Sequence, residues 1–177
     1  MGKARRLRRG KKFYKALSWS ERVNAFADVA RLIETLPCRI TAVQVDTRDL
    51  PEYIETDSDL YRLAFWRLLD ELETNLSIQN ELGLMMADAR SDLHSSVQDR
   101  RLIDAFREWV GSRSGRTHFV EPPWFGFSAF YGGLQLADFA AYFVDFVSNE
   151  LERAERDSEL AASFRIIEKK IDLIRIP

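Results

Sequence analysis

The chain has a single cysteine, Cys38, so it holds neither an internal disulfide framework nor a thiolate metal cluster. Its apolar runs fall short of the ~20 residues that span a bilayer, which excludes a membrane partner of the helical kind. Charge at the N-terminus is not followed by an apolar segment, so it does not read as a secretory signal; a cytoplasmic location is expected. There is no His-x-x-x-His pair, no Gly-x-Ser-x-Gly and no phosphate-binding glycine loop. Those absences count against a zinc hydrolase, a serine hydrolase and a P-loop NTPase. No internal repeat is present, and acid is missing from the first fifteen residues.

What is present is globular. Apolar residues make up 46% of the 177 and charged residues 31%, and twelve Phe, five Tyr and four Trp imply an aromatic core. The net charge of −2 hides an asymmetry. Residues 1–15 carry eight bases (Lys3, Arg5, Arg6, Arg8, Arg9, Lys11, Lys12 and Lys15), leaving 18 bases against 28 acids elsewhere. Residues 1–17 therefore read as a basic, flexible arm on a single domain over residues 18–177. The arm is either a solvated terminus or a nucleic-acid contact that acts through phosphate neutralisation.

Ser18-Trp-Ser-Glu21 has capping-box spacing, and Val23, Phe26, Ala27, Ala30, Ile33 and Leu36 follow at helical spacing up to Pro37. Ile40–Val45 reads as a strand ending at Asp46. Asp57, Ser58 and Asp59 offer caps for a long helix with Leu60, Leu63, Ala64, Leu68, Leu72 and Leu76 on one face. Leu82–Ala87 reads as a strand buried on both sides, ending at Asp88. A helix over Ser95–Val110 places Leu102, Ile103, Phe106 and Trp109 inward, and Thr117–Val120 reads as a further strand. After Pro122-Pro123 come an aromatic loop and a helix over Gly132–Glu155 that is apolar nearly all round at its start. Glu159–Lys170 reads as the final helix, and Ile171–Ile176 as strand or coil. This order predicts an α/β layer architecture with a short parallel sheet.

Asp46 and Asp88 end strands, where α/β folds place their chemistry, and Asp138 sits among Leu134, Leu136, Ala137, Phe139, Ala140 and Ala141. A carboxylate so placed needs a partner. Either it joins a cluster that holds Mg²⁺ or Mn²⁺, or it makes a structural ion pair with a residue such as Arg90 or Arg101. Asp46 is read either as a third ligand or as a turn residue. Gln135, three residues before Asp138, either orients that carboxylate or caps a loop carbonyl. Ser128, Gly132 and Gly133 suit either close approach of a nucleic-acid backbone or turn chemistry. Trp124, Phe125, Phe127, Phe130 and Tyr131 either stack bases or plug the core. His94 and His118 flank the third helix.

Leu134-Gln-Leu-Ala-Asp-Phe-Ala-Ala-Tyr142, with Ser128 ahead of it and a strand running into Asp88, resembles the prokaryotic and phage family called domain of unknown function 3800. Gly10–Ser18 with Arg22 resembles the segment leading into that family's first helix. The resemblance implies a ribonuclease-H-like three-layer arrangement with a short, mostly parallel sheet. It further implies metal-dependent phosphodiester hydrolysis, with Asp88, Asp138 and Gln135 in the catalytic site and Mg²⁺ or Mn²⁺ held by Asp88, Asp138 and Asp46. Phage defence or mobile-element processing would fit. The family opens with a strand carrying Asp-Glu-Ser and has an acid and a histidine before the first helix. This sequence has neither, and Ala89 stands where the family often has Glu. The expectation is a domain lacking its opening strands, with nuclease activity weak or absent and an exposed sheet edge for self-association or a partner chain. The alternative is a non-catalytic module that binds nucleic acid through Arg5, Arg6, Arg8, Arg9, Lys11, Lys12 and Ser128.

Overall fold

The computed structural model describes residues 3–46, 54, 56–89, 95–150 and 158–176. In chain order the elements are α1 (Lys3–Arg8), a 3-10 turn (Lys12–Ala16), α2 (Trp19–Thr35), β1 (Ile40–Val45) and α3 (Asp57–Gln79). Then follow β2 (Met86–Asp88), α4 (Ser95–Ser112), β3 (Trp124–Gly126), α5 (Gly132–Glu150), α6 (Ser158–Ile167), a 3-10 turn (Glu168–Lys170) and β4 (Ile171–Ile176). The class is α/β, as expected. The chain divides into two compact units, Met1–Ala42 with Gln135–Asp172 and Val43–Leu134 with Leu173–Pro177.

In the first unit, α2 starts at the expected capping box. Ser18 Oγ accepts from the Glu21 amide at 3.3 Å, and the Ser18 amide donates to Glu21 Oε2 at 2.7 Å. At its other end Lys170 Nζ donates to the carbonyls of Ile33 and Leu36, satisfying acceptors that the helix leaves open. The core gathers Phe26, Ala30 and Ile33 of α2, Phe139, Phe143 and Phe146 of α5, and Leu160 and Ile167 of α6. Phe26 meets Phe139 and Phe143 edge-on at 5.5 and 5.6 Å. Burying each such ring contributes roughly 1.5–3 kcal/mol.

The segment read as a flexible arm holds α1, whose Ala4 and Leu7 are buried in this same core. The reason is local: among eight bases, the apolar Ala4 and Leu7 fall three apart and share one helix face.

In the second unit, α3 is capped by Thr56, one residue ahead of the expected caps, in a capping box with Asp59. Its expected apolar row is half-buried, and the deepest row is instead Phe65, Leu69 and Glu73. These pack with Ala105, Phe106, Trp109 and Phe119. Here Phe106 and Trp109 face inward as expected, while Leu102 and Ile103 are half-buried.

The single sheet expected from the sequence is two pairs, β1 with β4 and β2 with β3. Arg39, just before β1, pairs with Asp172 at the start of β4, and the Asp46 amide donates to the Ile176 carbonyl at their far ends, so the pair runs parallel. The β2–β3 pair is also parallel, with Met86 opposite Trp124 and Asp88 opposite Gly126. Two strand readings are corrected here. Leu82–Ala87 is not buried on both sides: the strand is Met86–Asp88, and Leu82 and Leu84 are exposed. Thr117–Val120 supplies only a bridge from Phe119 to Gly83, and the partner strand follows the two prolines, where the ladder re-forms.

Candidate functional site

Asp138 lies in the second turn of α5, half-buried, and the partner that the structure gives it is a main-chain amide. Oδ2 accepts a hydrogen bond of 3.1 Å from the amide of Ala4. That amide is one of the first-turn donors of α1, which have no acceptor inside the helix, and a negative charge there also meets the positive end of the helix dipole. Asp138 thus caps a helix more than a hundred residues away in sequence. Gln135 is half-buried in the turn before it. Gly132 and Gly133 are exposed, and a Cβ on either would meet nothing within the chain.

Other contacts fix α1. Arg22 Nη1 donates to the Arg8 carbonyl at 2.8 Å, the Arg8 guanidinium lies 5.0 Å from the Phe146 ring centroid, and Arg5 approaches Asp145 at 4.0 Å. Arg5 and Arg9 are exposed and Arg6 is half-buried. Among the described residues, Arg6, Arg9, Lys11 and Lys15 make no ion pair or side-chain hydrogen bond. Lys12 lies in the 3-10 turn that follows. The basic segment is thus a ridge whose Ala4 and Leu7 pack into the core.

Asp88 ends β2, and its Oδ1 accepts from the Ser128 amide at 2.9 Å. This bond ties the turn after β3 to the end of β2, so the two sequence-predicted residues do meet, through main chain. Asp88 also lines a cavity of about 720 Å³ with Asp57, Asp99, Asp104, Glu108, Arg62 and Arg101. Several of those charges are matched locally: Arg62 lies 3.8 Å from Glu108, and Arg107 3.6 Å from Asp104. Asp46 is not among the lining residues; it is half-buried beyond β1, with its amide on the Ile176 carbonyl. His94 and Arg90 lie outside the described residues.

The aromatic loop does not plug the core. Trp124, Phe127, Phe130 and Tyr131 are exposed, Phe130 by 80%. Tyr131 lies against Gly126, where a Cβ would come within 2.8 Å of its ring, so a larger residue there would displace the tyrosine.

A cluster that the sequence reading missed lies beneath α3. Glu73 accepts from Thr117 Oγ1 at 2.8 Å and from the His118 amide at 3.0 Å, and pairs with His118 Nδ1 at 2.8 Å. Burial pushes the Glu73 carboxyl up, but the bonds from His118 and Thr117 outweigh it and hold the group below its ordinary value. The signal was available: Glu73 continues the Phe65–Leu69 row at a spacing of four, an acid in a core position. Asp70 likewise gathers Trp109 Nε1, at 2.9 Å, and Arg113, whose guanidinium stacks on Trp109 at 4.5 Å.

A Mg²⁺ or Mn²⁺ site needs converging carboxylates. Among the described residues no three His, Cys, Asp or Glu side chains are grouped to hold an ion. Asp88 and Asp138 each spend an oxygen on a main-chain amide. The described donors do not fit the cation. Among the same residues, no helix is long and apolar enough to cross a membrane. No protein-family model, curated protein or solved structure matches the chain.

Proposed function

We propose that this chain is a nucleic-acid-binding module that contacts phosphates through the α1 ridge and works without cleaving them. The observation that carries the reading is that, among the described residues, Arg6, Arg9, Lys11 and Lys15 make no ion pair or side-chain hydrogen bond, on a segment anchored by Ala4, Leu7 and Asp138. Cations held on a folded ridge lose less conformational entropy on binding than cations on a free tail. The resemblance of Leu134–Tyr142 to a family with ribonuclease-H-like members supports the same substrate class.

The test is fluorescence anisotropy with labelled single-stranded RNA and duplex DNA across a salt series. Wild type should bind with an affinity that falls steeply with salt, and a combined Arg6→Ala, Arg9→Ala, Lys11→Ala variant should lose most of that affinity while keeping its melting temperature. Equal binding by both proteins would sink the reading.

A metal-dependent nuclease is the second reading, and one observation favours it: Asp88 stands at the carboxyl end of a parallel strand and lines the 720 Å³ cavity. Cleavage of either nucleic acid in Mg²⁺ or Mn²⁺, abolished by Asp88→Asn, would establish it in place of the first.

A further inference from the structure

We propose that two copies of this chain associate through the open face of the β2–β3 pair. The inference is independent of the nucleic-acid reading, because it rests on other residues of the other unit.

Side chains alternate across a strand, and the two rows here have opposite fates. Gly83, Met85 and Ala87 are half-buried, and Met85 packs on the core of the second unit. Leu82, Leu84 and Met86 point the other way and are 74%, 69% and 41% exposed. The neighbouring strand continues the same surface. Trp124 stands opposite Met86 and is 57% exposed, while Val120, whose amide donates to the Gly83 carbonyl, is 58% exposed. Tyr131 extends the patch, since both its ring and Met86 Sδ crowd Gly126.

At roughly 150–250 Å² for a fully exposed large side chain, these six leave on the order of 700 Å² open. That exceeds the roughly 300–600 Å² of the largest apolar patch on a typical monomer. It approaches the roughly 800 Å² that each partner gives to a standard interface. Parallel strands are ordinarily covered on both faces, and only one face of this pair is covered.

The chemistry of the patch favours a second copy over nucleic acid. Four of the six side chains are aliphatic or thioether and offer no stacking surface, and none of the six carries a positive charge for phosphate. An uncharged apolar face is complementary to itself, which is what a two-fold interface demands. Its row ends at Asp88, and a two-fold axis near Leu84 sets the two Asp88 side chains at opposite ends of the interface.

Sedimentation velocity on the full chain across a concentration series should give a species of twice 20.6 kDa that dissociates on dilution. Leu84→Asp should shift the protein to monomer at concentrations where wild type is dimeric, with an unchanged circular dichroism melt. Leu82→Glu, at a still more exposed position, provides the same test should Leu84→Asp fold poorly. A wild type that stays monomeric throughout overturns the proposal. So does a dimer that persists in both variants, which must use another surface. A monomer that binds single-stranded RNA and loses it on Trp124→Ala overturns the proposal too, and reassigns the face to base stacking.

Discussion

The carboxylate of Asp138 accepts a 3.1 Å hydrogen bond from the amide of Ala4. This joins the residue that most resembles a catalytic acid to the first turn of the helix that most resembles a nucleic-acid contact. The acid therefore acts on the basic ridge by holding it in place, and a change at Asp138 should be read first as a change in α1.

Removing that acceptor exposes its contribution. Asp138→Ala should cost about 1–2 kcal/mol, the scale for a partly buried hydrogen bond to a charged group. Asp138→Asn, which keeps an acceptor oxygen, should cost less. Urea unfolding measures both, and an alanine variant as stable as wild type would mean the bond contributes nothing.

Divalent cations give a contrasting test. Calorimetry with Mg²⁺ should show no binding that depends on Asp138, because its Oδ2 already serves Ala4 and the described residues group no three ligands around an ion. Saturable heat in wild type that disappears in Asp138→Asn would contradict this.

Salt should dissect the ridge. If Lys11 and Lys15 each neutralise one phosphate, mutating either to alanine lowers the slope of log K against log[salt] by about 0.7 for single strands. An unchanged slope would place that lysine outside the contact.

Gly10 holds φ at +57°, and a Cβ there would lie 2.7 Å from Arg22 Nη1, the atom that donates to the Arg8 carbonyl. Gly10→Ala should therefore destabilise the chain by about 1 kcal/mol or more through the left-handed backbone. It should also weaken nucleic-acid binding by loosening α1, and a thermal melt with anisotropy checks both effects.

Glu73 sets a pH dependence. Its folded-state carboxyl is held below the ordinary value of 4.5, so its stabilising contribution is complete above that pH and is lost as pH falls through the lowered folded value. Glu73→Gln should be about 1–3 kcal/mol less stable than wild type at pH 7, since an amide keeps one acceptor oxygen for Thr117 and the His118 amide but loses the charge and the second oxygen that faces His118 Nδ1. The gap should narrow in acid. A gap that stays constant down to strongly acidic pH would mean that the carboxylate charge is not what stabilises the cluster.

Local signals in the sequence determined much of the fold. The Ser18–Glu21 box, the Ile40–Val45 strand and the start of the Gly132 helix all stand where spacing and β-branching put them, because capping and periodicity act over a few residues. Tertiary structure decided the rest. Whether Leu82 and Leu84 are covered depends on what packs against them, which a run of apolar residues does not specify. The sheet pairing was illegible for the same reason, since β3 gains its register only from β2. Asp138 shows the division most clearly. Its sequence surroundings establish that the carboxylate needs a partner, and only the folded chain, by bringing residue 4 to residue 138, supplies the amide of Ala4.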